Sequence, residues 1–323
     1  MGWNNNYKKI DHVEKDYQQE ITNKFIKRIQ EALENTEKGL KWEKPLIACN
    51  ELPFNPVTGE RYKGSNIATL LVEGYPDPRW MTFKQVKELA EKTGKDLKVA
   101  KGSKASYIVK VVPVYEKDSQ GNIIKDEEGN PKPVLHKDGT PKIGFKWYPV
   151  FNGSQIEGLE PYIKREEKVK PYKVVRELQE ALIEKTGLTI HHGKTGKAFY
   201  RPDEHAIYMP REEYFKTSED YADTFLHEAG HSTGPKLGRK FGKFGTKEYA
   251  FEELVAELSS CFMSVELGIP HNPSTHENHA AYLKSWLEAL QNDKTMIFRA
   301  ANLASKATEY QMQIYNEFKE EMK

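Results

Sequence analysis

Apolar positions near the start of the chain recur at helical spacing. Ile21, Phe25, Ile29 and Leu33 line one face of residues 18–36, predicting an amphipathic helix. A Pro- and Gly-rich loop follows, and shorter periodic segments at 66–73 and 82–93 predict two more helices, the second capped by Thr82. The period changes to two over 107–115, a β-branched strand, and again over 144–151, an aromatic one. Between them, residues 116–142 are polar and punctuated by Gly121-Asn122, Gly129-Asn130 and Asp138-Gly139, which reads as a long hairpin tip. The charged stretch 160–170 has no apolar period and is expected to be a linker. Beyond it the pattern predicts a helix at 173–186, strands at 188–192, 198–200 and 206–209, then helices to the end. No internal repeat is visible. Small sheets among helices place the chain in the α+β class.

Composition narrows this picture. A chain of 323 residues has room for two domains, and 37% hydrophobic with 11% aromatic residues is too apolar for disorder. No apolar run reaches the ~20 residues of a membrane span, and no secretory signal is evident, so a cytoplasmic protein is expected. Two cysteines, Cys49 and Cys261, support neither a disulfide framework nor a cysteine-based zinc site. A net charge of +1 argues against an acidic DNA mimic and against a basic packaging protein.

The chemistry concentrates at His227-Glu228-Ala229-Gly230-His231, an H-E-x-x-H match. On a helix the two histidines share a face and can reach one ion. Thr217 with Asp220 forms a start signal and Gly234-Pro235 a stop, while Tyr221, Ala222, Phe225, Leu226 and Ala229 cluster on a separate apolar arc. Zinc needs a third protein ligand and an open fourth position. The next helix, 248–268, supplies carboxylates: Glu253 is the expected ligand, with Glu257 one turn later hydrogen-bonding a ligand histidine and Glu252 the alternative ligand. Glu228 is the expected general base for peptide hydrolysis. His191, His192 and His205 read as polar surface residues, a second metal at His271, His276 and His279 is disfavoured by Pro270 and Pro273, and Cys261 lies on an apolar face.

A single-strand nucleic-acid surface would combine basic and aromatic residues. Candidates are Arg61, Tyr62 and Lys63; Arg79 and Trp80; Lys101 and Lys104; and Lys146 and Trp147 on the aromatic strand. The charge supports this only weakly, at +5 over residues 1–170 and −4 over the rest.

Asn55-Pro56-Val57-Thr58-Gly59, Tyr62-Lys63-Gly64-Ser65-Asn66, Trp80-Met81-Thr82-Phe83 with Gln85, Lys101-Gly102, and Val150-Phe151-Asn152 with Gln155 and Glu157-Gly158 form a set of motifs. Together they resemble the ArdC-type antirestriction proteins. Residues 207–210, 227–234, Tyr249-Ala250 with 252–257, and 282–293 are also similar to that family. The resemblance implies a single-stranded-DNA-binding domain, placed at 1–165, joined to a zincin-like metallopeptidase domain at 171–323. It also implies a protein of plasmids or phages that shields entering DNA from host restriction. By the same resemblance zinc is held by His227, His231 and Glu253 with Glu228 catalytic, and a host restriction or regulatory protein is the expected target of the peptidase. The chain departs from the family in Pro235-Lys236-Leu237-Gly238, where a His- and Arg-containing run is usual, and in the long insert at 116–142. A free-standing zinc endopeptidase and a non-enzymatic DNA-binding protein with a structural metal are the alternatives.

Overall fold

The computed structural model describes residues 16–37, 51–163, 170–193, 196–243, 245–269 and 279–323. Helix α1 (Tyr17–Glu37) buries Ile21, Phe25, Ile29 and Leu33, the face that its periodicity marks. Then come α2 (Ser65–Leu71), β1 (Trp80–Met81) and α3 (Phe83–Thr93), the last begun by a reciprocal capping box between Thr82 and Gln85. Strands β2 (Lys98–Val99), β3 (Ser106–Pro113), β4 (Ile143–Asn152) and β5 (Ile156–Glu157) complete the first part. They form an antiparallel sheet in the order β1-β4-β3 and a two-stranded β2-β5 ribbon.

Helix α4 (Pro171–Thr186) opens the second part with proline in its first turn, where the missing N–H is not needed. Strands β6 (Thr189–His192), β7 (Phe199–Arg201) and β8 (Ala206–Met209) form a sheet in the order β6-β8-β7, with β6 parallel and β7 antiparallel to β8. Four helices follow: α5 (Ser218–Ser232), α6 (Lys247–Glu266), α7 (His279–Asn292) and α8 (Met296–Glu321). The α+β class holds throughout.

Of the expected linker at 160–170, residues 164–169 lie outside the described residues, and the largest hydrophobic cluster draws from both sides of it. Ile21, Phe25 and Ile29 of α1 and Ile67 and Leu71 of α2 share it with Leu254 and Phe262 of α6, Trp286 of α7 and Ile297 and Ala301 of α8. A second cluster joins α4, α5, β8 and α6 to the far end of α8 through Ile314 and Phe318. At about 1.5 Å per residue, α8 is about 39 Å long, enough to serve both clusters as a common spine.

The Tyr62-Lys63-Gly64-Ser65-Asn66 motif makes a joint between the parts. Asn302 Oδ1 on α8 accepts the Ser65 N–H at 2.7 Å, and Ser305 Oγ accepts the Gly64 N–H at 3.1 Å, so α8 caps the start of α2. Gly64 has φ +58, and a Cβ there would collide with the Asn302 amide. The Asn66 side chain exchanges two hydrogen bonds with the backbone of Val109 on β3, at 2.8 and 2.9 Å. Asn152, fully buried, donates to the Asp77 carbonyl at 2.7 Å and caps the turn that Gln155 closes.

The insert departs from a simple hairpin tip. Three tight turns are each tied by an aspartate: Asp118 Oδ1 accepts the Gln120 and Asn122 N–H groups, Asp126 Oδ1 those of Glu128 and Asn130, and Asp138 Oδ1 that of Thr140. Glu116, Ile124 and Lys132 close a ring of backbone hydrogen bonds at 2.9 Å each. The insert is therefore branched, and the first two turns form a short internal repeat, Lys117-Asp118-x-x-Gly121-Asn122 and Lys125-Asp126-x-x-Gly129-Asn130. The reading of no repeat is corrected. A six-residue unit repeated once is too short to stand out among polar residues.

Candidate metal centre

Helix α5 is started by Thr217, whose Oγ1 accepts the Asp220 N–H at 3.1 Å, and it is anchored by Tyr221, Ala222, Phe225, Leu226 and Ala229, all fully buried. Its opposite side meets α6. At Gly230 the helices come so close that a Cβ would lie 3.2 Å from the Ala256 Cα and carbonyl oxygen. That approach carries the α6 carboxylates to the α5 histidines.

Three ligand-type side chains converge there: His227, His231 and Glu253 each offer an atom within 4.8 Å of the other two. Glu253 spans both rings, with Oε2 3.3 Å from His227 Nε2 and Oε1 3.6 Å from His231 Nε2. The remaining ring nitrogens are also engaged. His227 Nδ1 is 3.3 Å from Glu257 Oε2, and His231 Nδ1 is 3.1 Å from Glu252 Oε1. With Nδ1 taken by a carboxylate, Nε2 is the nitrogen that each ring turns toward the cluster. Two imidazoles and a carboxylate gathered within 4.8 Å are a donor set for a divalent cation, and the 3.3 and 3.6 Å separations approach the spacing of about 3.3–3.4 Å expected between ligands of a tetrahedral ion.

The electrostatics follow from this packing. Burial by itself would depress His227, but hydrogen bonds to Glu253 and Glu257 hold its pKa well above the usual value. Burial raises Glu253, and its bonds and charge interactions with the two histidines outweigh that and hold it below the usual carboxylate range. Glu228 is also buried, and desolvation pushes its carboxyl upward against the pull of both imidazoles. The Tyr200 backbone N–H on β7 faces its carboxylate.

Residues that the sequence did not single out complete the centre. The Arg239 side chain is buried and bonds both oxygens of Glu252, at 3.0 Å each, and Phe241 lies with its ring centroid 6.3 Å from that of His231. No periodic signal marks Arg239, since it sits in an irregular segment after a helix stop. His205 and His192 are not simply solvated: His205 Nδ1 pairs with Tyr200 Oη and His192 Nε2 with Tyr221 Oη, each at 2.8 Å. Cys261 is buried on α6. His271, His276 and Cys49 lie outside the described residues, as does the His279 side chain.

The nucleic-acid candidates separate by burial. Trp80 is 2% exposed and packed on Leu70, Ile108 and Val150, so it has no face for a base. Tyr62 packs on that same cluster and donates to the Trp80 carbonyl at 3.1 Å, and burial raises its hydroxyl to about 12. Arg79 is spent on Asp77 and the Glu160 carbonyl. Trp80 is corrected from a surface contact to part of the scaffold, and Tyr62 and Arg79 are half-buried. Trp147 is half-buried against Phe298 and Tyr17. Arg61 pairs with Glu266. Lys63, Lys101, Lys104 and Lys146 are exposed.

Among the described residues, no helix is long and apolar enough to cross a membrane. Residues 15–151 match the N-terminal domain of anti-restriction factor ArdC, and residues 177–303 match a zincin-like metallopeptidase domain. The chain is 36% identical over 302 residues to a DNA primase TraC of Escherichia coli, covering 92% of this chain but 27% of the primase. It is 31% identical over 265 residues to the uncharacterized protein y4eC of Sinorhizobium fredii, covering 80% of each. Crystal structures of the antirestriction ArdC protein from plasmid R388 superpose with TM-scores of 0.64 (metal-free) and 0.63 (Mn(II)-bound). Both are 31% identical to this chain, and they align with 91% and 93% of it and with 98% of the ArdC chain. The chain therefore belongs to the ArdC-type antirestriction family, with an ArdC N-terminal domain followed by a zincin-like domain.

Proposed function

We propose that this protein shields entering plasmid or phage DNA from host restriction by binding single-stranded DNA and by acting through a metal-dependent peptidase centre in the cytoplasm. The observation that carries the peptidase reading is the convergence of His227, His231 and Glu253 from two helices, with Glu228 buried beside them. His227, His231 and Glu253 would hold the ion. Two imidazoles and a carboxylate suit zinc, and also the Mn(II) carried by the R388 protein. A divalent ion bound there supplies Lewis-acid activation of water and of the substrate carbonyl. Glu228, held partly up in pKa by burial, accepts the proton of the attacking water and returns it to the leaving amine. Glu257 and Glu252 orient the two rings through Nδ1.

The DNA reading is supported by β3 and β4. Lys110 and Lys146 are directly opposite each other, and their ammonium groups lie 5.5 and 5.4 Å from the ring centroid of Tyr148. Like charges facing across a sheet are unfavourable unless an anion lies between them, so this pair suits a phosphate, with Lys101 and Lys104 in the same part of the chain.

The test has two arms on the full chain. Fluorescence anisotropy with single- and double-stranded oligonucleotides at two salt concentrations should show salt-dependent binding to single strands. No binding at low salt overturns the DNA reading. Transfer of unmodified plasmid DNA into a restricting host should be protected by the wild type and not by Glu228→Gln with metal content unchanged. Full protection by that variant overturns the peptidase reading.

A further inference from the structure

We infer that Arg239 is a positioning residue for the metal centre, setting the orientation of His231 through Glu252. The inference rests on the metal-site reading above. Arg239 and Glu252 are among the most deeply buried charged side chains here, 3% and 5% exposed. Arg239 Nε donates to Glu252 Oε2 at 3.0 Å, and Nη2 donates to Oε1 at 3.0 Å. The same Oε1 faces His231 Nδ1 at 3.1 Å. A guanidinium, a carboxylate and an imidazole thus lie in one hydrogen-bonded line that ends at a candidate ligand atom.

The remaining guanidinium hydrogens fix Arg239 itself. Nη2 also donates to the Gly230 carbonyl at 2.7 Å, and Nη1 donates to Thr233 Oγ1 at 2.8 Å. Both acceptors belong to the last turn of the α5 helix and its cap, Gly230 directly before His231 and Thr233 two residues after it. The chain doubles back to make this possible: Gly234 N–H bonds the His231 carbonyl at 2.8 Å, and Arg239 N–H bonds the Gly234 carbonyl at 2.9 Å. Gly238, at φ +67, supplies the left-handed turn just before Arg239.

The geometry explains why arginine stands here. A glutamate held at one point can rotate about its last bond and choose which oxygen meets the imidazole. A planar fork gripping both oxygens removes that freedom and sets the carboxylate plane. With the plane set, Nδ1 of His231 has one partner in one direction, and Nε2 is left aimed at Glu253. A lysine would keep the charge but grip a single point. The same contacts hold the 235–243 segment against the centre, placing Phe241 beside His231 and, at a ring separation of 5.9 Å, beside Tyr200.

The test uses the full chain loaded with Co(II), whose visible absorption reports ligand geometry independently of activity. Arg239→Lys, Arg239→Met and Glu252→Gln are compared with the wild type for Co(II) affinity, absorption spectrum and metal-free melting temperature. The expected result is a loss of Co(II) affinity of about 10–100-fold in each variant, with an altered spectrum. Arg239→Lys should melt near the wild type without metal, and Arg239→Met combined with Glu252→Gln should bind no more weakly than the worse single variant. If Arg239→Met does not fold, Arg239→Lys decides. A folded Arg239→Lys with wild-type affinity and spectrum overturns the inference and leaves Arg239 as a helix-end tie. A wild-type chain that takes up no Co(II) overturns the metal reading itself, and the two failures are thereby distinguished.

Discussion

Gly230 and Ala256 are in backbone contact: a Cβ on Gly230 would lie 3.2 Å from the Ala256 Cα, tighter than ordinary van der Waals packing. This contact sets how closely Glu253 and Glu257 on α6 approach the two histidines on α5. Gly230→Ala should therefore have opposed effects. Helix propensity favours alanine by about 1 kcal/mol, while the helices must separate by a few tenths of an ångström. The expected outcome is a melting temperature close to the wild type with weaker metal binding, read by chelator competition. Gly230→Val adds bulk without the propensity gain and should lower both.

Asn302 is expected to matter far from any chemistry. Its Oδ1 caps the Ser65 N–H from across the molecule, so Asn302→Ala leaves a helix-start donor without that acceptor and should cost about 1 kcal/mol in denaturant unfolding. Gly64→Ala should cost more, because it combines a left-handed φ of +58 with a collision against Asn302. Equal stability of both variants and the wild type would show that α8 does not hold α2.

Because α1 and α2 share their core with α6, α7 and α8, separating the chain at 164–169 into two pieces should expose apolar surface on each. Residues 1–170 alone are expected to be protease-sensitive and to bind a hydrophobic dye, and co-expression with 171–323 should restore resistance. Two fragments that melt cooperatively on their own would refute this.

Glu177 ties α4 to α8, accepting from Lys319 Nζ at 2.7 Å and Tyr315 Oη at 2.9 Å. The Lys319 bond holds its carboxyl below the usual 4.5, and burial, then Glu177, push the Tyr315 hydroxyl upward. A carboxylate depressed in the folded state stabilises at pH above its unfolded value, and that contribution is lost as pH falls through the folded value. Glu177→Gln should therefore cost about 1 kcal/mol near neutral pH, and the deficit should shrink as the pH drops below 4.5. A deficit constant from pH 7 to pH 3 would argue against the ion pair as its source.

What the sequence by itself determined about this protein is what depends on neighbours along the chain. The buried face of α1 is a spacing of four between Ile21, Phe25, Ile29 and Leu33, and Thr82 with Gln85 is a cap three residues long. The side-by-side placement of His227 and His231 is likewise a property of one helical turn. What the tertiary structure alone decided is the set of relationships between segments. Glu252, Glu253 and Glu257 differ in what they face because of how α6 is rotated against α5, and that rotation is set by Gly230 meeting Ala256. Arg239 acquires its partners only once the chain turns back under α5. Trp80 and Arg79 look in the sequence like residues for a nucleic acid, but a closed cluster and Asp77 take them up. The core shared across 164–169 could not be read locally either, since burial is a matter of which faces meet, and periodicity marks a face without naming its partner.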